Sequence, residues 1–294
     1  MGLFFSSDRF TRPGPGVRPD APRKKGVARL AEIMGRDMWN FFRAGFLAFL
    51  GCLPFIIGMF FAVETHALLF MLLAGIIGGL IAGPELSAMA DTVLRSLRDE
   101  PGYWWETYRR VWKRNARESL VPGMLTGLVL SMQIFTLFHM SVISAGIVTW
   151  VLLILSFVVT LGLESYIWPQ IALLDLPLYG ILKNSLLLFL GYLPRSLGAI
   201  AIKAVYWGAI LLFFPLTTII LPFTNFWLPM LPALLCIYQP LNKCFTIDST
   251  INKMREDELN AALAKDNEPL PEDPTERAEE STEASSGDSS SDVQ

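Results

Sequence analysis

The chain has 294 residues, 52% hydrophobic and 17% charged. A soluble domain carries about 25% charged residues, so an ordinary water-soluble globule is excluded. The net charge of −3 says little about partners, because the charges are segregated by region.

Residues 1–43 are polar and basic and are expected to form a cytoplasmic N-terminal segment. The first long apolar run begins only near Ala44, too late for a cleavable leader, so the first span is expected to remain as an anchor. That run is 44–63, with Pro54 inside it, which membrane helices tolerate. Glu64, Thr65 and His66 break it. A second run, 67–83, is closed by Pro84 and carries Gly75, Gly79 and Gly83 on one face. Gly123 and Gly127 repeat the spacing in the third run, 120–138. Small residues let membrane helices approach closely. The stripe predicts packing within the bundle, with a homo-oligomer face as the alternative.

The linker 84–119 reads as two helices joined at Asp99-Glu100-Pro101-Gly102. The second holds Tyr103, Trp104, Trp105, Tyr108 and Trp112 among Arg109, Arg110, Lys113, Arg114 and Arg117. Trp104, Tyr108 and Trp112 recur every four residues and share a face. Such a helix is expected to lie in the headgroup layer, rings at the acyl boundary and cations toward anionic lipid. The sharper reading is a docking surface for a cytoplasmic partner; nucleic acid is not expected.

The fourth run is 142–163, resuming after Glu164 as far as Leu174. Asp175 before Leu176-Pro177 is expected to cap the next helix. That helix, 178–191, is too short to cross a membrane. The fifth run is 197–221 and contains Lys203. The sixth, 226–241, is short and carries Pro229, Pro232 and Pro240. Residues 245–294 form an acidic tail. Its last part, 266–294, has ten acids and one arginine, and the tail is expected to be largely disordered.

Twenty-three of the 24 Lys and Arg residues fall in 1–43, 84–119, 164–196 and the tail after 241. Connections 64–66, 139–141 and 222–225 hold none. Positive-inside bias places the basic segments and both termini in the cytoplasm, and six crossings satisfy that parity. The expected fold is an all-α polytopic membrane bundle of about six transmembrane helices plus interfacial helices. Its transmembrane helical domain is 44–244.

Little chemistry is legible. There is no phosphate loop, HExxH, CxxC or GxSxG. Cys52, Cys236 and Cys244 have no regular spacing and read as small buried residues. His66 and His139 sit at span ends, too few for a metal signature. Ionisable residues inside spans are functional candidates, and only Glu164 and Lys203 qualify. They are expected to pair, line a cavity or snorkel, the last being favoured for Lys203. No enzyme, cofactor or metal is expected.

The series Gly83-Pro84, Ala88, Tyr103-Trp104-Trp105, Trp112-Lys113-Arg114-Asn115 and Glu118-Ser119-Leu120 resembles the YesL family of bacterial membrane proteins. So does the series Tyr166-Ile167-Trp168-Pro169, Asp175-Leu176, Leu182-Lys183-Asn184-Ser185 and Leu193-Pro194-Arg195. The resemblance covers roughly residues 83–200. The chain departs from the family pattern in the extra run 67–83 and in its acidic tail. The resemblance implies a bacterial plasma-membrane protein without catalysis, associated with carbohydrate ABC transport. A permease or ATPase subunit is the implied partner, and a stand-alone small-molecule transporter or a membrane scaffold is the alternative.

Overall fold

The computed structural model describes Lys24 and residues 26–266, apart from Pro101, Ser141 and residues 143–145. The described residues form helices and no strand. The principal ones are α1 (Gly26–Thr65), α2 (Leu68–Leu97), α3 (Trp104–Phe138), α4 (Ile147–Leu173), α5 (Leu178–Gly191), α6 (Leu193–Leu212), α7 (Trp227–Phe245) and α8 (Ile247–Asp266). Six segments are long and apolar enough to cross a membrane: α1, α2, α3, α4, α6 and Leu221–Phe245, which contains α7. α5 has the bounds expected for it and, at 14 residues, is too short to cross.

α1, α2 and α3 run 40, 30 and 35 residues, well beyond the ~20 that a bilayer core needs. The basic segments form their surplus length. Residues 26–43 therefore continue the first span as helix, and the expectation for residues 1–23 lies outside the described residues. The linker 84–119 is likewise no independent interfacial element. Its first half continues α2 through Pro84, and its second half is the start of α3.

α2 and α3 cross on their glycines. A Cβ on Gly79 would collide with the Gly123 carbonyl, one on Gly83 with the Ser119 carbonyl, and one on Gly127 with the Gly75 carbonyl. The stripe Gly75, Gly79, Gly83, Gly123 and Gly127 is thus consumed inside one chain, which overturns its use as a homo-oligomer face. A π-helical turn, Ala74–Gly78, lies within the crossing.

An ion network closes the basic ends of α1 and α2. α2 stops at Leu97 in a Schellman turn, with the Asp99 N–H donating to the Ser96 carbonyl (3.3 Å) and the Glu100 N–H to the Arg95 carbonyl (3.0 Å). Asp99 takes the left-handed conformation there, φ 57°. The turn aims its carboxylate at α1, where Arg29 donates to it at 2.6 Å and Arg36 donates to its other oxygen. Arg29 and Arg36 also donate to the carbonyls of Leu97 (3.2 Å) and Ser96 (2.8 Å).

At the far ends, His66 and His139 meet at 2.7 Å. His139 Nδ1 donates to the Phe135 carbonyl at 2.7 Å, so in the neutral pair its Nε2 accepts from His66. Buried polar side chains tie the remaining helices. Gln133 on α3 donates to Ser156 (2.5 Å) and Thr160 (2.8 Å) on α4. Gln170 donates to Ser185 on α5, and Tyr166 meets Ser196 on α6, both at 2.8 Å. Such bonds hold helices together where lipid offers no hydrophobic drive.

The fifth run is shorter as a helix than its hydropathy suggests. α6 ends at Leu212, because Pro215 withdraws the N–H group that a longer helix needs. The connection after it packs against α1. Phe223 stacks on Phe42, Trp227 stacks on Phe41, and Gly45 makes room for Asn225 and Trp227. Residues 222–225 were expected at the end opposite the basic segments. They sit instead beside the first turns of the expected first span. Asp175 does not cap α5, whose N-cap is Pro177 without a side-chain bond. Among the cysteines, Cys52 is buried, but Cys244 is exposed.

The chain divides into two compact units at residue 245. In the second, residues 247–266 are helical, ahead of the stretch 266–294 on which the expectation of disorder was placed. Ala, Leu, Lys, Glu and Met are good helix formers, and Asp248 suits the first turn. The expectation for 267–294 lies outside the described residues.

Two outcomes follow from this packing. Gly123→Val is expected to lower stability by about 1–3 kcal/mol in a denaturant titration of the purified protein, as overpacking does. Gly198→Val, where nothing lies within 4 Å, should change it by less than about 0.5 kcal/mol. The second concerns pH. Burial raises the Asp99 pKa, but the hydrogen bonds and charges of Arg36 and Arg29 outweigh it and hold the carboxyl below its ordinary value. The ionised form therefore stabilises the fold above about pH 3.9, and that contribution fades as pH falls further. Asp99→Asn keeps the left-handed turn and removes the charge. Its melting temperature should lie below wild type at pH 7, and the gap should close as the buffer is taken below pH 4.

Candidate functional site

A partly open cleft of about 430 Å³ lies between the helices, and all six long apolar segments contribute to its walls, where Ile56, Phe138 and Leu211 stay exposed. α4 presents Phe157, Leu161, Glu164 and Trp168, and α6 presents Lys203, Trp207, Ile210 and Leu211. Each set recurs at three- and four-residue spacing, the period of one helix face. α1 adds Phe49 and Cys52, and Phe226 and Met230 close the wall at the start of α7.

Glu164 and Lys203 are the only charged residues on this wall. The Lys203 side chain is turned inward and is only 7% exposed. It does not snorkel to a surface, contrary to the favoured expectation. Glu164 is half-buried, and the part still accessible looks into the chamber. The two form no direct ion pair with each other, although both line the same space. Neither has a hydrogen-bond partner among the described residues. Both side chains therefore present a charged group to the accessible space of the cleft, where a bound molecule could meet it.

The aromatic-basic stretch is divided between interior and surface. Tyr108 is buried and donates to Glu85 on α2 at 2.5 Å, and the Trp112 Nε1–H donates to the other Glu85 oxygen at 2.9 Å. Trp104 lies against Tyr108, and Arg43 of α1 sits over its ring at 5.7 Å. Of the face shared by Trp104, Tyr108 and Trp112, Tyr108 is therefore turned in against α2, while Trp112 bonds Glu85 and still stays exposed. Arg114 is also engaged, donating to the Ala172 carbonyl of α4 at 2.9 Å. Tyr103, Trp105, Arg109, Arg110, Lys113 and Arg117 remain on the surface.

Sequence reasoning passed over Glu85. The available signal was its place directly after Gly83-Pro84, one acid in an apolar stretch ahead of an aromatic-rich helix. The described residues contain no group of three His, Cys, Asp or Glu side chains able to hold a metal.

These features are those of a multi-pass membrane protein. Comparison of the chain with protein-family models, with curated proteins and with solved structures finds no match.

Glu164 and Lys203 should be energetically coupled. Either Glu164→Gln or Lys203→Met removes the counter-charge that keeps the cleft neutral, at a cost of about 1–3 kcal/mol. The double variant should cost clearly less than the two singles together, as read in a double-mutant cycle of unfolding free energies.

Proposed function

We propose that this chain is a non-enzymatic, multi-pass protein of the bacterial plasma membrane that takes a small molecule into this cleft, the chamber between its helices, and acts as a stand-alone transporter. The chamber carries this reading. Its volume of about 430 Å³ falls in the range of small-molecule sites, which are mostly apolar with a few placed polar groups. Opposed charges on two different helices are the form such polar groups take in membrane carriers. Positive-inside bias supports a cytoplasmic position for the basic ends and both termini.

A second reading keeps the chain as an accessory of carbohydrate ABC transport. The observation favouring it is the exposed cluster Tyr103, Trp105, Arg109, Arg110 and Lys113, a surface suited to a permease or ATPase subunit or to anionic lipid. The chamber does not favour a sugar as its own ligand. A sugar presents several hydroxyls, each costing about 1–3 kcal/mol when buried without a partner, and these walls are almost wholly apolar.

The test is to fill the chamber. Leu161→Trp places an indole in it. Proteoliposomes containing only the wild-type chain are expected to take up at least one radiolabelled compound from a panel of small amphiphiles, and the filled variant should lose that uptake while remaining folded. Uptake that survives filling, or that requires a co-purified permease, would overturn the reading.

A further inference from the structure

We infer that the ligand of the chamber is a zwitterion, an apolar or aromatic body carrying one anionic and one ammonium group, with the α-amino acids as the simplest class. The inference rests on the chamber being a ligand site and names what it takes. Lys203 is more than nine-tenths buried, lines the cavity and has no hydrogen-bond partner. Its ammonium therefore lacks an acceptor that an anionic group would supply. Glu164 faces the same space from α4 and lacks donors, which an ammonium would supply.

The two protein charges cancel, so a ligand with a single net charge would leave the chamber charged inside an apolar bundle, at high cost. A neutral hydrocarbon would leave both ions unpartnered. A zwitterion satisfies both and keeps the site neutral. The aromatic wall of Phe49, Phe157, Trp168, Trp207 and Phe226 suits an apolar side chain and offers ring faces to a cation. The arrangement also gives each helix a separate handle. α4 would hold the ammonium and α6 the anion, so binding would draw the two helices together across the cavity.

The experiment uses the full chain in detergent and reads ligand-induced shifts in melting temperature. The probes are L-tryptophan, tryptamine, which lacks the carboxylate, and indole-3-propionate, which lacks the ammonium. L-tryptophan is expected to give a saturable shift with an apparent affinity at least tenfold tighter than either analogue. In Lys203→Met this advantage over tryptamine should vanish, and in Glu164→Gln the advantage over indole-3-propionate should vanish. The wild-type series needs no variant and decides the matter if a variant does not fold. An analogue binding as tightly as the zwitterion would overturn the inference while leaving the chamber a ligand site. Shifts that persist unchanged in Leu161→Trp would place binding elsewhere and overturn both readings.

Discussion

The backbone contact between α2 and α3 is the constraint on which the bundle depends. Where Gly79 faces Gly123 and Gly83 faces Ser119, the two main chains touch with no side chain between them. Lipid gives two apolar helices no hydrophobic reason to associate, so dispersion across such close surfaces supplies the attraction. The pair then fixes its neighbours. α1 fits against α2 through Gly51, Gly58 and Phe55 at Gly78, and its basic end is locked by Asp99. α4 joins α3 through Gln133. The chamber is the space left where α4, α6 and α7 stand off from that tight core.

The two ends of the core are held differently. At the basic end, Asp99 reaches two arginines from a turn whose own backbone bonds are complete. At the other end, two histidines share one hydrogen bond. Between them the wall residues Glu164 and Lys203 belong to helices outside the glycine-packed core. The charges are therefore carried by elements outside that crossing, and movement of α4 against α6 need not disturb the α2–α3 glycine contact.

Much of the fold was readable from sequence. Hydropathy located the apolar runs, and the bounds of 178–191 came out as expected. The glycine spacing pointed to internal packing. The continuity of helices was not readable. Trp104–Phe138 looked like an interfacial helix followed by a span, because polar residues entering a helix do not reveal that it runs on past the membrane. The contacts of the aromatic face were hidden for a related reason. A Trp or Tyr with an apolar body and a polar tip suits a headgroup layer and suits a buried carboxylate equally. Only the position of Glu85, 23 residues before Tyr108, distinguishes the two. Glu164 and Lys203 were identified as the ionisable intramembrane residues, but the chamber between them depends on how six segments pack.

The π-helical turn at Ala74–Gly78 has a geometric consequence for the crossing it lies in. In a regular α-helix, residues four apart drift by about 40° around the axis, so three glycines at that spacing would wind away from a straight partner. A wider turn rotates less per residue and cancels part of that drift. Gly75, Gly79 and Gly83 can then form a seam nearly parallel to the helix axis. α3 follows it over about 12 Å without either helix having to supercoil, and a single inserted residue in the chain would be enough to create that seam.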